Sequence, residues 1–196
     1  MSRDQDRQRH IILDLDQTII SGEPIDEFEV KNEERKENFT FHTMDRDYYI
    51  FERPNLQPFL DYIFANFKVS VWTAASKDYA LFIIENIILQ KKDRKLEWIF
   101  YAYHCEISEK LTKSPKNLTV LSNNFDIDDF KGEVFIFDDN EEVYNPQPDR
   151  CLIAKPFFFT DEGSENDDYL TQVTRLLKKG KSVKKMNKKL LKDNSN

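Results

Sequence analysis

The segment Ile12-Leu13-Asp14-Leu15-Asp16-Gln17, followed at once by Thr18, decides how the chain is read. It is an apolar run that ends in two carboxylates one residue apart. Carboxylates at the tip of a buried strand are costly to hold unless a cation or a substrate uses them. An acidic pair with a hydroxyl just beyond it suits a Mg²⁺ site, where one Asp attacks a phosphoryl group and the next handles a proton. Taken alone, the pair is equally well read as a strand running into an acidic turn.

Working outward, strand and helix signals alternate, which points to an α/β fold. The first strand covers residues 10–15. A polar, acid-rich stretch over 21–37 reads as a surface excursion. Phe39 and Phe41 then alternate with polar neighbours, Met44-Asp45-Arg46-Asp47 reads as a turn, and Tyr48 to Phe51 is β-prone. That pattern is a hairpin inserted directly after the acidic pair, over about 19–52. Arg53-Pro54 opens a helix with Leu56, Phe59, Leu60, Ile63, Phe64 and Phe67 on one face. Further strands are expected at Val69–Trp72, around Trp98–Tyr103, at Val134–Phe137 and at Cys151–Ala154. Further helices are expected near Asp78–Leu89 and Asp167–Leu177.

Three of these strands end in polar, chemically capable residues: Asp14 and Asp16, Thr73, and Asp138 with Asp139. An open parallel sheet binds its ligands beyond the carboxyl ends of its strands. One such sheet would bring all three ends to one edge.

Bulk composition narrows the classes. A chain of 196 residues fits one domain, and an aromatic share of 13% supports a packed core. With only 4 Gly, and no G-x-x-x-x-G-K-[ST] or G-x-G-x-x-G, glycine-rich phosphate loops are excluded. The start MSRDQDRQRH has no apolar signal region, and no apolar run is long enough to cross a bilayer. A soluble intracellular protein, cytoplasmic or nuclear and not secreted, is expected. Cys105 and Cys151 make neither a disulfide framework nor a zinc site, and reduced buried thiols are expected. His10, His42 and His104 lack ligand spacing. Asp126, Asp128 and Asp129 lack the Gly and terminal Glu of a calcium loop. Residues 175–196 hold nine Lys or Arg and one acid, which leaves the rest of the chain at −15. The basic end reads as a solvated, flexible tail over 181–196, or as a contact for nucleic acid or an acidic partner.

Five motifs together resemble one branch of the haloacid-dehalogenase-type phosphatases. Asp14-Leu15-Asp16-Gln17-Thr18 matches D-x-D-x-T. Arg53-Pro54 with Phe59-Leu60 is similar to the branch's R-P-x-x-x-x-F-L, and Trp72-Thr73-Ala74 with Tyr79-Ala80 to its second motif. Lys116-Asn117-Leu118-Thr119 resembles K-D-L-S, and Phe137-Asp138-Asp139-Asn140 resembles L-D-[DN]-S. The branch comprises the phosphatases of the RNA polymerase II C-terminal domain, also called NLI-interacting-factor-like. Gln17 stands where the family usually has Glu, and His104 aligns where an Arg is common.

The resemblance implies a Rossmann-like parallel sheet with helices on both faces in a domain over 1–180, and Mg²⁺-dependent hydrolysis of phosphoserine or phosphothreonine in a protein. It makes Asp14 the nucleophile. Asp14 and Asp139 would supply carboxylate oxygens to Mg²⁺, and Asp16 its backbone carbonyl. The Asp16 side chain would protonate the leaving oxygen and later activate water. Thr73 and the Ala74 N–H would bind the phosphoryl group, and Lys116 would offset its charge, with Lys113 the competing lysine. Thr18 would orient Asp14 or donate to the phosphate. Taken alone, Thr73 reads first as a cap for the following helix. Phe39 and Phe41 would line an apolar substrate pocket, or else fasten the hairpin to the body. The competing functions are a catalytically silent binding module and a phosphatase for small-molecule or nucleic-acid phosphates.

Overall fold

A computed structural model describes residues 9–29, 32–124 and 133–193. In chain order its elements are β1 (His10–Leu13), β2 (Ile20–Pro24), α1 (Glu33–Lys36), β3 (Phe41–Met44), β4 (Tyr48–Glu52), α2 (Leu56–Asn66), β5 (Lys68–Trp72) and α3 (Lys77–Ile83), which a π-type turn extends over Ile84–Ile88. They continue with β6 (Ile99–Phe100), α4 (Ala102–Thr112), α5 (Leu118–Asn124), β7 (Val134–Asp138), α6 (Glu141–Tyr144), β8 (Cys151–Ile153), α7 (Tyr169–Lys178) and α8 (Val183–Asp193). Expectations placed on residues 1–8, Lys31, Asp126, Asp128, Asp129 and 194–196 lie outside the described residues.

Five strands form one sheet in the order β6-β5-β1-β7-β8, every pair parallel. β1 is central, with Leu13 opposite Val71 of β5 and Phe137 of β7. The strand period of two sends alternate side chains to opposite faces. Ile11, Leu13, Val69, Val71, Phe135 and Phe137 join one core with α2, α3, α7 and α8. Ile12, Trp72, Val134 and Ile136 join another with Cys105 of α4, Leu118 and Leu121 of α5 and Val143 of α6. Both faces are covered, as a parallel sheet requires. Cys105 and Cys151 are free, buried thiols.

The insertion is a three-stranded antiparallel sheet in the order β2-β4-β3. The hairpin β3–β4 turns at Met44–Asp47, closed by the Asp47 N–H on the Met44 carbonyl. The surface excursion expected over 21–37 is corrected at its start: Ile20–Pro24 is the strand β2, with Ile20 and Ser21 buried. Its Gly and Pro hide it in sequence, because both are strand-poor. The first strand also stops two residues earlier than expected. Leu15 O accepts N–H bonds from Thr18, Ile19 and Ile20, and Gln17 takes a positive φ of 60°. The chain therefore curls beyond Leu13 and holds its carboxylates off the ladder.

Arg53 fixes this curl from behind. Its buried guanidinium binds both Asp167 oxygens at 3.0 Å and the carbonyls of Thr18 and Lys155 at 2.9 and 2.8 Å. A fork of this kind is the geometry in which Arg is strongest.

The basic end differs most from expectation. Residues 183–193 are helical and packed, not a flexible tail. Val183, Met186 and Leu190 sit in the core against the sheet, while Lys184, Lys185, Lys188, Lys189 and Lys192 are exposed on the outer face. Asn187 fastens the helix to the sheet edge: its amide donates to Cys151 O at 2.8 Å and its oxygen accepts from the Ile153 N–H at 3.1 Å. Ending the chain after Gly180 should therefore cost on the order of 3–5 kcal/mol, three buried side chains set against the ordering of one helix. Urea unfolding of the two lengths checks this; equal midpoints and slopes would contradict it.

Candidate active site

Topology brings the three strand ends together. Asp14 follows β1, and its N–H donates to Phe137 O at 3.0 Å. Thr73 follows β5 on one side, and Asp138 closes β7 on the other. The carboxylate oxygens of Asp14, Asp138 and Asp139 lie within 4.8 Å of one another.

One cation enters this cluster from among the predicted residues. Lys116 lies between α4 and α5 and is buried at 4% exposure. Its ammonium donates to Asp14 Oδ1, and to Asp138 Oδ2 at 2.8 Å. Lys113 instead caps α4 with a positive φ of 63° and is exposed. The structure thus separates the two competing lysines and delivers Lys116. Gln147 holds Lys116 in place through its backbone: Gln147 Nε2 donates to Lys116 O at 2.7 Å, and Gln147 Oε1 accepts from the Leu118 N–H at 3.1 Å.

Thr18 stands between two carboxylates. Its hydroxyl is 3.1 Å from Asp14 Oδ2 and 3.1 Å from Asp139 Oδ1, and it accepts the Asp139 N–H at 3.1 Å. A hydroxyl has one proton to give, so it cannot satisfy both carboxylates. Asp138 has both oxygens engaged, one with Lys116 and one with the Asn140 N–H at 2.9 Å. Asp14 is buried and engaged in the same way, by Lys116 and Thr18, and Asp139 is the partly exposed member of the three. Three clustered carboxylates against one ammonium leave a surplus of negative charge. A divalent cation with oxygen ligands fits that donor set.

The electrostatics follow from burial. Desolvation pushes the Asp14 carboxyl up to about 8, against the downward pull of the Lys116 ammonium. Burial also raises Asp139, with the Asp138 charge adding to it. For Lys116, burial works to lower the pKa, but Asp138 and Asp14 more than reverse this and the group stays above its ordinary value.

The Asp16 side chain is held apart from this cluster. The Tyr79 hydroxyl donates to Asp16 Oδ1 at 2.7 Å. Burial raises the Asp16 carboxyl, and the Tyr79 hydrogen bond opposes that rise. Thr73 is buried, and its hydroxyl accepts the Ala75 N–H at 3.0 Å, which leaves its own O–H to donate elsewhere. Ser76, not Thr73, caps α3, accepting the Tyr79 N–H at 3.4 Å. Ala74 is exposed beside Thr73 at the strand end.

Phe39 and Phe41 belong to the insertion. Both are half-buried in an aromatic cluster, Phe39 against Phe159 at 5.1 Å and Phe41 against Phe51 at 5.7 Å between ring centroids. Phe51 stacks on Phe159 at 3.7 Å. On β4, Phe51 and Tyr48 point to opposite faces, and it is Tyr48 that meets Tyr79 at 5.3 Å. Phe39 and Phe41 thus pack within the aromatic cluster that joins the insertion to Phe159, and the aromatic pair beside the acidic loop is Tyr79 with Tyr48. In the sequence, Tyr79 and Asp138 stand only as members of motifs, with no specific role, and Gln147 is not singled out. Tyr79 and Gln147 work through partners 63 and 31 residues away, which no local pattern reveals.

The description NLI interacting factor-like phosphatase belongs to a family that matches residues 9–187. The chain is similar to the CTD phosphatase-like protein 355R of Invertebrate iridescent virus 3, with 41% identity over 182 residues, 89% of this chain and 97% of that protein. Its counterpart from Invertebrate iridescent virus 6 shares 42% over 176 residues, 86% of this chain and 97% of that protein. Among solved structures, the fission yeast RNA polymerase II CTD phosphatase Fcp1 bound to beryllium fluoride superposes with a TM-score of 0.57 at 21% identity. That match covers 98% of this chain and 57% of the solved one, and it speaks for the fold. Among the described residues no helix is long and apolar enough to cross a membrane.

Proposed function

The chain belongs to the NLI interacting factor-like phosphatase family, within the haloacid-dehalogenase fold, and we propose that it is a Mg²⁺-dependent phosphatase that hydrolyses phosphoserine or phosphothreonine in a protein through a phosphoaspartyl intermediate. The observation that carries this reading is the Lys116 ammonium seated between Asp14 and Asp138, with Thr18 spanning Asp14 and Asp139.

In the first step an Asp14 oxygen bonds to phosphorus as the bond from phosphorus to the substrate oxygen breaks. The electron pair stays on that oxygen, and Asp16 gives it a proton. In the second step water attacks phosphorus, its proton passes to Asp16, and the bond to Asp14 breaks. Lys116 offsets charge on the phosphoryl group, the Thr73 hydroxyl and Ala74 N–H donate to its oxygens, and Thr18 orients Asp14. Asp14 and Asp139, with the Asp16 carbonyl, would hold Mg²⁺. The ion would screen the repulsion between the Asp14 carboxylate and the phosphate dianion.

A binding module without chemistry has no use for a buried lysine held among carboxylates, a costly arrangement. The insertion is a small antiparallel sheet, where small-molecule relatives typically carry a bulky helical cap, and this favours a protein over a small ester. The CTD phosphatase names of the relatives suggest Ser-Pro phosphopeptides as the first substrates to try.

Hydrolysis of p-nitrophenyl phosphate with Mg²⁺ and with excess chelator tests the reading, followed by a panel of phosphoserine-proline peptides. Turnover with Mg²⁺ should exceed that in chelator by at least about 10²-fold. Equal rates in the two conditions would overturn the metal assignment, and no turnover of any ester would overturn the activity.

A further inference from the structure

The Asp16 side chain is gripped by a device that three separate segments build. Tyr79 comes from α3, and its hydroxyl donates to Asp16 Oδ1 at 2.7 Å. Tyr48 of β4 packs edge-on against the Tyr79 ring, 5.3 Å between centroids at 77°. Gly22 of β2 lies directly under the hydroxyl. A Cβ at position 22 would overlap the Tyr79 hydroxyl oxygen, come within 3.3 Å of its ring carbon Cζ, and stand 3.5 Å from Asp16 Oδ1. Gly22 pairs with Ile50 in the β2–β4 ladder, so it cannot move aside without breaking that pairing. The end of a tyrosine is rigid, and its ring is wedged by Tyr48. A methyl group at position 22 would therefore have to push the hydroxyl off the carboxylate. Glycine is required here for close approach rather than for an unusual backbone angle.

We infer that Tyr79 is a positioning residue for proton transfer: it fixes Asp16 through Oδ1, so that Oδ2 is the oxygen that carries the proton to the leaving group, and Gly22 is the space that permits it. The inference rests on the phosphatase reading of the same site. It gives the insertion a part in the chemistry, since β2 and β4 supply Gly22 and Tyr48. A proton donor raises the rate only when its oxygen is aimed at the atom that receives the proton. Free rotation of the Asp16 carboxyl would lose part of that benefit. The proton balance is unchanged: Asp16 still gives and regains it, and Tyr79 keeps its own.

The need for a proton depends on the leaving group. Serine leaves as a strongly basic alkoxide and needs protonation as the bond breaks. p-Nitrophenolate is a weak base and leaves without help. kcat/KM covers the steps up to leaving-group departure, so it isolates this event. It should be measured for a phosphoserine peptide and for p-nitrophenyl phosphate in the wild type, Tyr79→Phe, Gly22→Ala and the double variant, with a thermal melt on each. In both single variants the peptide value should fall at least about tenfold while the aryl value falls less than about threefold. The double variant should be no worse on the peptide than the more impaired single, because both changes break one contact. Equal proportional losses on the two esters would assign Tyr79 a merely structural role and overturn the inference, as would no loss on either. Gly22→Ala keeps every functional group, so it decides the matter even where Tyr79→Phe folds poorly. A wild type inert on both esters would bring down the phosphatase reading itself. A wild type active on both, with unselective variants, brings down this inference alone.

Discussion

Replacing Asp14 with Asn is expected to remove turnover of every phosphate ester by at least about 10³-fold while leaving the fold in place. The amide keeps the shape of the carboxylate but is a poor nucleophile toward phosphorus. Structural damage should be small, because Lys116 keeps its second partner, Asp138, at 2.8 Å. Burial already strains Asp14 as a carboxylate, pushing it up to about 8, so a neutral side chain there relieves a cost instead of adding one. The thermal midpoint should hold or rise slightly. Full Mg²⁺-dependent turnover by Asp14→Asn would refute the nucleophile assignment, and a collapsed melting transition would mean that the loss of activity came from unfolding.

Lys116→Met should have the second largest effect, and it should fall on both activity and stability. The lysine is the cation that the described residues place among Asp14, Asp138 and Asp139, and its side chain is 5% exposed. Removing one partner from a buried ion pair leaves charge uncompensated and costs about 3–5 kcal/mol. Loss of a group that stabilises developing charge lowers kcat by about 10²–10³-fold. Mg²⁺ should return part of the lost melting temperature, since a cation bound by the folded state alone stabilises it. Lys113→Met, at an exposed helix end, should stay within about 0.5 kcal/mol of wild type and keep its activity. Urea unfolding and aryl phosphate kinetics on the two variants check all of this. Equal effects at the two positions would contradict the placement of Lys116.

Much of the frame is visible in the chain, for a definite physical reason. β1, β5 and β7 are short apolar runs that end in Asp14, Thr73 and Asp138, and a parallel sheet must gather such ends on one edge. The core faces of α2 and α7 follow from their helical spacing, with Leu56, Phe59, Leu60 and Ile63 buried on one and Leu170, Val173 and Leu177 on the other. α8 carried the same signal in Val183, Met186, Asn187 and Leu190, a stripe at helical spacing. The lysines between those positions dominate the composition, and composition hid the stripe. α4 gave no such warning, because its buried positions are Cys105 and Ser108, neither strongly apolar.

The site divides in the same way. Asp14, Thr18, Lys116 and Asp139 converge, and the motifs that contain them are contiguous in sequence. The second tier does not announce itself. Tyr79 on Asp16 and Gln147 on the Lys116 backbone depend on tertiary proximity alone. Phe39 and Phe41 illustrate a different limit: period two cannot say which face of a hairpin meets the site, and both rings pack in the cluster around Phe51 and Phe159.

The most direct test of the central claim is to find where phosphate rests during turnover. The chain should be mixed with a ³²P-labelled phosphoserine peptide and Mg²⁺, quenched in acid within a turnover, digested and sequenced by mass spectrometry. The account predicts a hydroxylamine-labile label on Asp14, absent from Asp14→Asn. Label on any other residue, or turnover with Asp14 replaced, would contradict it.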